Sequence, residues 1–222
     1  MMNFAIEDAA KLAEASYTAN RITSPRVIRS CPHADVQAHV LEGDILLLPG
    51  SNSIRDYLRF NLRILRLGHR RLKMSDDNSE KGASGTTWHQ GFLAYSSVVF
   101  DWLKDIGVTP NYVIGHSLGA AATQILSKSY GVPGLGFAAP RTKFVNGPVR
   151  HHKKCLLINR FDDIVPKVPS AFHHLGSVRN LAVNPKRNFP AHKMKHYREI
   201  VDIGQQNGAL PSHWAGAPDY SV

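Results

Sequence analysis

A serine flanked by glycines stands near the middle of the chain, where residues 115–119 read Gly-His-Ser-Leu-Gly. The apolar residues 111–115 before it predict a strand, and the Ala- and Leu-rich residues 117–129 predict a helix. A sharp strand-to-helix turn can expose a serine hydroxyl for nucleophilic attack, and small neighbours keep the backbone from colliding there. Ser117 is therefore the candidate nucleophile. The alternative is an ordinary serine that caps the helix.

A serine nucleophile needs a histidine as base, and the histidine needs a carboxylate that fixes its tautomer. In folds with this turn, the acid and then the histidine follow the serine in the chain. Asp162 and Asp163 follow a predicted strand over 154–160, which makes one of them the candidate acid. The other downstream acids do not follow a strand: Glu199, Asp202 and Asp219. Five histidines follow this pair of aspartates in the chain, and sequence position alone does not choose among them: His173, His174, His192, His196 and His213.

The elements that must position these residues alternate between strand and helix. Apolar runs predict strands at 36–41, 44–50, 111–115, 134–140, 154–160 and 178–183. Helical periodicity appears at 4–15, 53–67, 91–106, 117–129 and 191–203, and a polar loop is predicted at 75–87. This alternation predicts an α/β fold, with a mostly parallel central sheet and helices on both faces. The length of 222 residues fits a single domain over 1–222.

Composition leaves several kinds of partner open. The 27 basic and 17 acidic residues give a net charge of +10, which suits nucleic acid, an anionic membrane surface, an acidic substrate or no partner at all. No nucleic-acid motif accompanies this charge, so we expect no nucleic acid partner. Cys31 and Cys155 are expected to be free thiols. The sequence has no signal peptide of the Sec type and no transmembrane run, which favours the cytoplasm by default and leaves non-classical export open.

Six short blocks occur in an order that resembles the class 3 (fungal-type triacylglycerol) lipases. They start at Asp44, His89, Gly115, Ala139, Asp163 and His192 and read DILLLPGSNSIRDYL, HQGF, GHSLG, APR, DIVP and HKMKHY. The blocks span residues from about 44 to 203, which is most of the chain. The resemblance implies an α/β-hydrolase fold and a serine hydrolase that cleaves lipid esters.

The resemblance also assigns roles to individual residues. It implies Ser117 as the nucleophile, Asp163 as the acid that orients the imidazole, and His192 as the base. The oxyanion hole would be formed by Ser51, through its backbone N–H and hydroxyl, and by the backbone N–H of Leu118. Asp162, His174 and His196 would be non-catalytic neighbours, and His89 would be structural. No metal and no organic cofactor is expected.

The chain departs from the family pattern at two positions. Pro49-Gly50-Ser51 stands where the family commonly has Arg-Gly-Thr or Arg-Gly-Ser, which removes an arginine expected to brace the oxyanion loop. Ala120 stands where a second glycine is common, which adds one methyl group at the turn. Neither change touches the Ser-Asp-His triad, so activity is still expected.

The residues after Ser51 suggest a lid. If 53–67 is one helix, four arginines share an arc of about 80° while apolar side chains lie elsewhere, because successive residues turn by about 100°. These arginines are Arg55, Arg59, Arg63 and Arg66. In the resembled lipases this stretch is a lid that moves aside at a lipid surface, and here the arginines would favour anionic headgroups. The alternative is an ordinary helix with a solvated basic face.

We therefore expect an ester hydrolase, a lipase or phospholipase-like enzyme, that acts on a lipid or small ester through an acyl-enzyme on Ser117. Three alternatives remain at this stage. The same triad could transfer the acyl group to an alcohol other than water, or the fold could be a non-catalytic binding module. The third alternative, a nucleic-acid-binding protein, is suggested only by the charge.

Overall fold

The computed structural model describes residues 3–33, 35–50, 64–67, 70–73, 78–182 and 192–216. Within these residues, the central element is a sheet of seven strands. From one edge to the other, they are β12 (Ser177–Leu181), β11 (Cys155–Arg160), β10 (Gly134–Phe137), β9 (Tyr112–His116), β4 (Ile45–Leu48), β3 (His39–Leu41) and β2 (Val27–Ser30). The strands from β12 to β4 are parallel, whereas β3 and β2 are antiparallel to their neighbours. The sheet is therefore mostly parallel.

Helices cover both faces of this sheet. Among the described residues, the α-helices are α1 (Ile6–Ala15), α2 (Gln90–Asp105), α3 (Leu118–Tyr130) and α4 (Met194–Gln206). Helices α1 and α4 pack against one face, and α2 and α3 pack against the other. Together these layers form the α/β arrangement that the alternating sequence pattern predicts.

Strand β4 shows how the sequence builds both cores at once. Its four residues are all buried, and their side chains alternate between the two faces, as the pleat of a strand requires. Ile45 and Leu47 pack in the core beneath α1 and α4, whereas Leu46 and Leu48 pack in the core beneath α2 and α3. A continuous apolar run is thus the expected signature of a strand covered on both faces.

Three smaller sheets consist of paired short strands. Strand β1 (Phe4–Ala5) pairs with β13 (His213–Trp214), β5 (Ile64–Leu67) with β6 (Arg70–Lys73), and β7 (Ser79–Lys81) with β8 (Thr87–His89). All three pairs are antiparallel. Within the part of the chain that is described, no helix is long and apolar enough to cross a bilayer.

The helix predicted over 53–67 is wrong at its end. Residues 64–67 form strand β5, and Arg66 pairs with Arg71 of β6 rather than lying on a helical arc. Strand β5 is antiparallel to β6, and Leu67 pairs with Arg70, so the chain does not continue as a helix through 64–67. The rest of this prediction, with Arg55, Arg59 and Arg63, lies outside the described residues.

Candidate active site

Ser117 lies on a strained turn between β9 and α3. Its φ of 57° and ψ of −119° are unusual for a residue with a side chain. The backbone N–H of Ser117 donates a 2.9 Å hydrogen bond to the carbonyl oxygen of Phe137, which ties the turn to the end of β10. Ser117 occupies the N-cap position of α3, but its hydroxyl makes no capping hydrogen bond with this helix and faces His192 instead.

Two glycines make this turn sterically possible. A Cβ atom on Gly119 would collide with the carbonyl oxygen of Leu48, and one on Gly115 would collide with Gly119 and with the Thr123 hydroxyl. Glycine is needed at both positions because the neighbouring backbone approaches so closely, a requirement that the spacing of the motif anticipates.

The imidazole of His192 lies between Ser117 and Asp163. Its Nε2 atom is 2.8 Å from Oγ of Ser117, and its Nδ1 atom is 2.8 Å from Oδ2 of Asp163. An ionised carboxylate only accepts hydrogen bonds, so Nδ1 carries the proton and the lone pair of Nε2 faces the serine hydroxyl. Ser117 and Asp163 are both 1% exposed. The structure thus brings together the three residues that the resemblance selects.

Asp163 is stabilised as a carboxylate by several donors. Besides His192, its Oδ2 atom accepts a 2.8 Å hydrogen bond from the Tyr197 hydroxyl, and its Oδ1 atom accepts one of 3.0 Å from the Val165 backbone N–H. Burial alone would raise the pKa of Asp163, but these hydrogen bonds and the attraction of His192 outweigh it and hold the pKa below its ordinary value. The group that faces the imidazole is therefore an anion at neutral pH.

Asp162, the other candidate acid, points elsewhere. Both of its carboxylate oxygens accept hydrogen bonds from the Arg160 guanidinium, at 3.0 and 2.9 Å. Its side chain is 40% exposed. Asp162 therefore pairs with the buried Arg160, and Asp163 is the neighbouring aspartate that reaches the imidazole.

The other downstream histidines have partners away from Ser117. Nε2 of His174 donates to the carbonyl oxygen of Ala139 over 2.8 Å, and the backbone of His173 pairs with Lys143. His196 pairs with Glu199, and His213 pairs with the Ser212 hydroxyl. The side chain of His89 is buried, and its ring packs against Phe92 and Phe172.

Two residues next to the site escaped the sequence interpretation. Nδ1 of His116 lies 2.5 Å from the hydroxyl oxygen of Tyr17, and the His116 ring packs on that of His192 with centroids 4.9 Å apart. Burial and the proximity of His192 hold the pKa of His116 well below its ordinary value, although Asp163 opposes the shift. The sequence signal for His116 is its place in the motif, but no local signal connects it to Tyr17, 99 residues away.

The predicted oxyanion donors are described only in part. Leu118 is the first residue of α3, where backbone N–H groups have no partner within the helix and can bind an anion. Ser51 lies outside the described residues. Gly50, the residue before it, packs against Ser117: a Cβ on Gly50 would lie 2.9 Å from Cβ of Ser117.

Neither the models of known protein families nor the sequences of curated proteins match this chain. Solved structures do match it. The Lip2 lipase of Yarrowia lipolytica aligns with a TM-score of 0.53 at 17% identity, over 84% of this chain and 80% of that one. The lipase of Rhizopus microsporus var. chinensis also aligns with a TM-score of 0.53 at 17% identity, over 81% of this chain and 74% of that one. This chain has the fold of the fungal lipases.

A third fungal lipase aligns over a smaller share of its own length. The Rhizomucor miehei lipase, in a propeptide complex, aligns with a TM-score of 0.50 at 18% identity over 78% of this chain. The aligned part spans 66% of that protein, just under two thirds of its length. At such identities the likeness concerns the fold, and it confirms the predicted α/β-hydrolase architecture.

Proposed function

We propose that this protein is a serine ester hydrolase that acts on lipid esters through an acyl-enzyme on Ser117. The observation that carries the proposal is the position of His192, with one ring nitrogen at the Ser117 hydroxyl and the other at the Asp163 carboxylate. This constellation is what an activated serine nucleophile requires. The fold shared with fungal lipases supports a carboxylic ester as the substrate class.

The proposed reaction has two halves. His192 accepts the proton of Ser117 as the serine oxygen attacks the ester carbonyl, and the imidazolium then gives that proton to the departing alcohol. In the second half, His192 takes a proton from water as the water oxygen attacks the acyl carbonyl, and the imidazolium then gives that proton to the departing Ser117 oxygen, which releases the carboxylic acid and restores the serine. Asp163 stays ionised throughout and stabilises the imidazolium.

Charge that develops on the carbonyl oxygen needs donors that are already in place. The backbone N–H groups of Leu118 and Ser51 are proposed for this role, with the Ser51 hydroxyl as a further donor. One such donor typically lowers the barrier by ~3 kcal/mol. No step in this scheme needs a metal or an organic cofactor.

Hydrolysis of p-nitrophenyl esters from acetate to palmitate tests the proposal. We expect turnover that depends on chain length in the wild type, and a loss of about 10³-fold or more in both Ser117→Ala and His192→Ala. Turnover that survives in Ser117→Ala would refute the assignment of the nucleophile. No turnover in a folded wild type would favour a non-catalytic binding module instead.

A further inference from the structure

The Tyr17 hydroxyl connects two backbone segments that meet at the candidate site. Tyr17 lies in the 3₁₀ segment Ser16–Arg21, which follows α1. Its hydroxyl oxygen is 3.1 Å from the backbone nitrogen of Gly50 and 2.5 Å from Nδ1 of His116. Gly50 directly precedes Ser51, and His116 directly precedes Ser117. One phenol thus contacts the residue before each of two proposed functional residues.

The direction of these hydrogen bonds follows from the groups involved. The Gly50 N–H can only donate, so the phenol oxygen of Tyr17 accepts from it. The buried His116 is neutral, so one of its ring nitrogens offers a lone pair, and the phenol can donate its own proton to Nδ1. The result is a chain of hydrogen bonds that runs from Gly50 through Tyr17 to His116, in which each bond polarises the next.

The two connected segments are also in direct contact. A Cβ atom on Gly50 would lie 2.9 Å from Cβ of Ser117 and 3.2 Å from the carbonyl oxygen of His116. The backbone at Gly50 therefore packs on the turn that carries the nucleophile. Pro49, just before it, offers no backbone N–H and no charged side chain for holding this loop.

We infer that Tyr17 is a positioning residue for the proposed ester hydrolysis, which holds the segment at Gly50 at a fixed distance from the turn at Ser117. Two backbone donors on different segments stabilise one oxyanion only when both point at the same oxygen atom. The hydroxyl of Tyr17 sets that spacing through Gly50 on one side and His116 on the other. Both contacts are with residues that directly precede Ser51 and Ser117, so Tyr17 acts through the positions of these two segments.

Tyr17→Phe tests this inference because it removes only the hydroxyl. Tyr130→Phe is the matched control, since Tyr130 lies at the far end of α3 and its ring stacks on Phe100. We expect Tyr17→Phe to lower kcat for a p-nitrophenyl ester on the order of 10-fold or more, with little change in KM. The control should keep the kcat and KM of the wild type.

A sulfur substrate separates misplaced oxyanion donors from general damage. Replacing the ester carbonyl oxygen by sulfur weakens the hydrogen bonds that donors make to it, so an enzyme with aligned donors prefers the oxygen ester. We expect this preference to shrink in Tyr17→Phe and to persist in Tyr130→Phe. An unchanged kcat, or an unchanged preference for oxygen over sulfur, would overturn the positioning role.

Amide hydrogen exchange at Gly50 provides a readout that does not depend on turnover. Loss of the Tyr17 hydroxyl should speed exchange at Gly50 about 10-fold, while amides in β9 keep their protection. Unchanged exchange at Gly50 would show that Tyr17 does not hold this segment, and would refute the inference. If the wild type hydrolyses no ester, the proposed function fails, whereas the exchange result still decides whether Tyr17 holds the segment.

Discussion

The hydroxyl of Tyr197 donates a 2.8 Å hydrogen bond to Oδ2 of Asp163, the same oxygen atom that faces the imidazole. The phenol oxygen in turn accepts a 3.2 Å hydrogen bond from the Arg160 backbone N–H. Tyr197 is fully buried, so it cannot exchange this partner for water. The tyrosine of the last sequence block thus adds one donor to the charged form of Asp163 and helps to hold its orientation.

Tyr197→Phe should therefore lower activity without altering substrate binding. Asp163 would lose a donor to its charged form, its pKa would rise, and it would hold His192 less firmly. We expect kcat to fall about 10-fold at unchanged KM, measured on a p-nitrophenyl ester at pH 7. The free energy of unfolding should also fall, by about 1–3 kcal/mol, since the Arg160 N–H loses its acceptor.

Tyr112→Phe is the control for this change. Tyr112 is equally buried, and its hydroxyl donates to the carbonyl oxygen of Trp214, away from the site. It should lose stability to a similar degree and keep its kcat. Equal losses of kcat in both variants would mean that the effect of Tyr197 comes from general loosening of the fold.

The two neighbouring aspartates should differ sharply in their effect on catalysis. Asp163→Asn keeps the shape of the side chain but removes the charge and the acceptor for Nδ1–H, so kcat should fall on the order of 10⁴-fold. Asp162→Asn removes the ion pair with Arg160 but leaves the Asp163 carboxylate that accepts from His192 in place, so kcat should stay within about 3-fold of the wild type. A larger loss in Asp162→Asn than in Asp163→Asn would contradict the geometry.

Gly119→Ala should destabilise the fold, because its Cβ would overlap the carbonyl oxygen of Leu48 and force β4 and α3 apart. We expect a loss of about 3 kcal/mol or more in the free energy of unfolding by urea. Ala120→Gly, one position on in the same helix, should cost less, about 1–2 kcal/mol, through helix propensity and the loss of one buried methyl group. Similar losses in the two variants would show that the turn tolerates a side chain at 119.

Neutral histidines that are buried or partly buried should make stability depend on pH. Burial lowers the pKa of His174 from 6.5 to about 4, so between these values the unfolded chain binds a proton that the folded chain does not. Stability should therefore fall as pH decreases from 6.5 to 4, by about 1.4 kcal/mol per pH unit for this group. The shift at His116 acts in the same direction.

His174→Gln separates this contribution from the rest. A glutamine amide can still donate to the carbonyl oxygen of Ala139 but does not titrate, so the stability of the variant should change less steeply over the same range. Urea unfolding at pH 7, 6, 5 and about 4 measures both slopes. Parallel slopes would mean that His174 gains its proton in the folded protein as readily as in the unfolded one.

Local patterns predicted the frame of the fold well. The helix predicted over 91–106 is observed at Gln90–Asp105, and the strand predicted over 154–160 is observed at Cys155–Arg160. The helix has strong apolar periodicity and the strand has a long apolar run. In such segments, the pattern of burial and the intrinsic propensity favour the same structure. Strand β2 (Val27–Ser30) was not predicted, because it is short, mostly exposed and held at an edge by pairing with β3.

The candidate site was only partly readable in the sequence. The motif around Ser117 and the order of the blocks selected Asp163 and His192, whereas the residues alone left Asp162 and several histidines open. Tyr197 ends the block HKMKHY, but the sequence predicted no role for it, because its contact with Asp163 joins residues 34 apart in the chain. Hydrogen bonds of this kind depend on tertiary packing, which no local pattern encodes.

The pairing register of β11 determines where residues can be inserted into the chain without displacing Asp163. Each residue of β11 pairs with a partner on β10 or β12, and Asp163 follows three residues after the strand ends. One residue inserted within β11 would shift its end by about 3.3 Å and turn the following side chains to the opposite face. An insertion at the exposed turn near Asn146 would leave that register intact. Length variation and fused segments are therefore expected to be tolerated at the turn near Asn146, and not within β11.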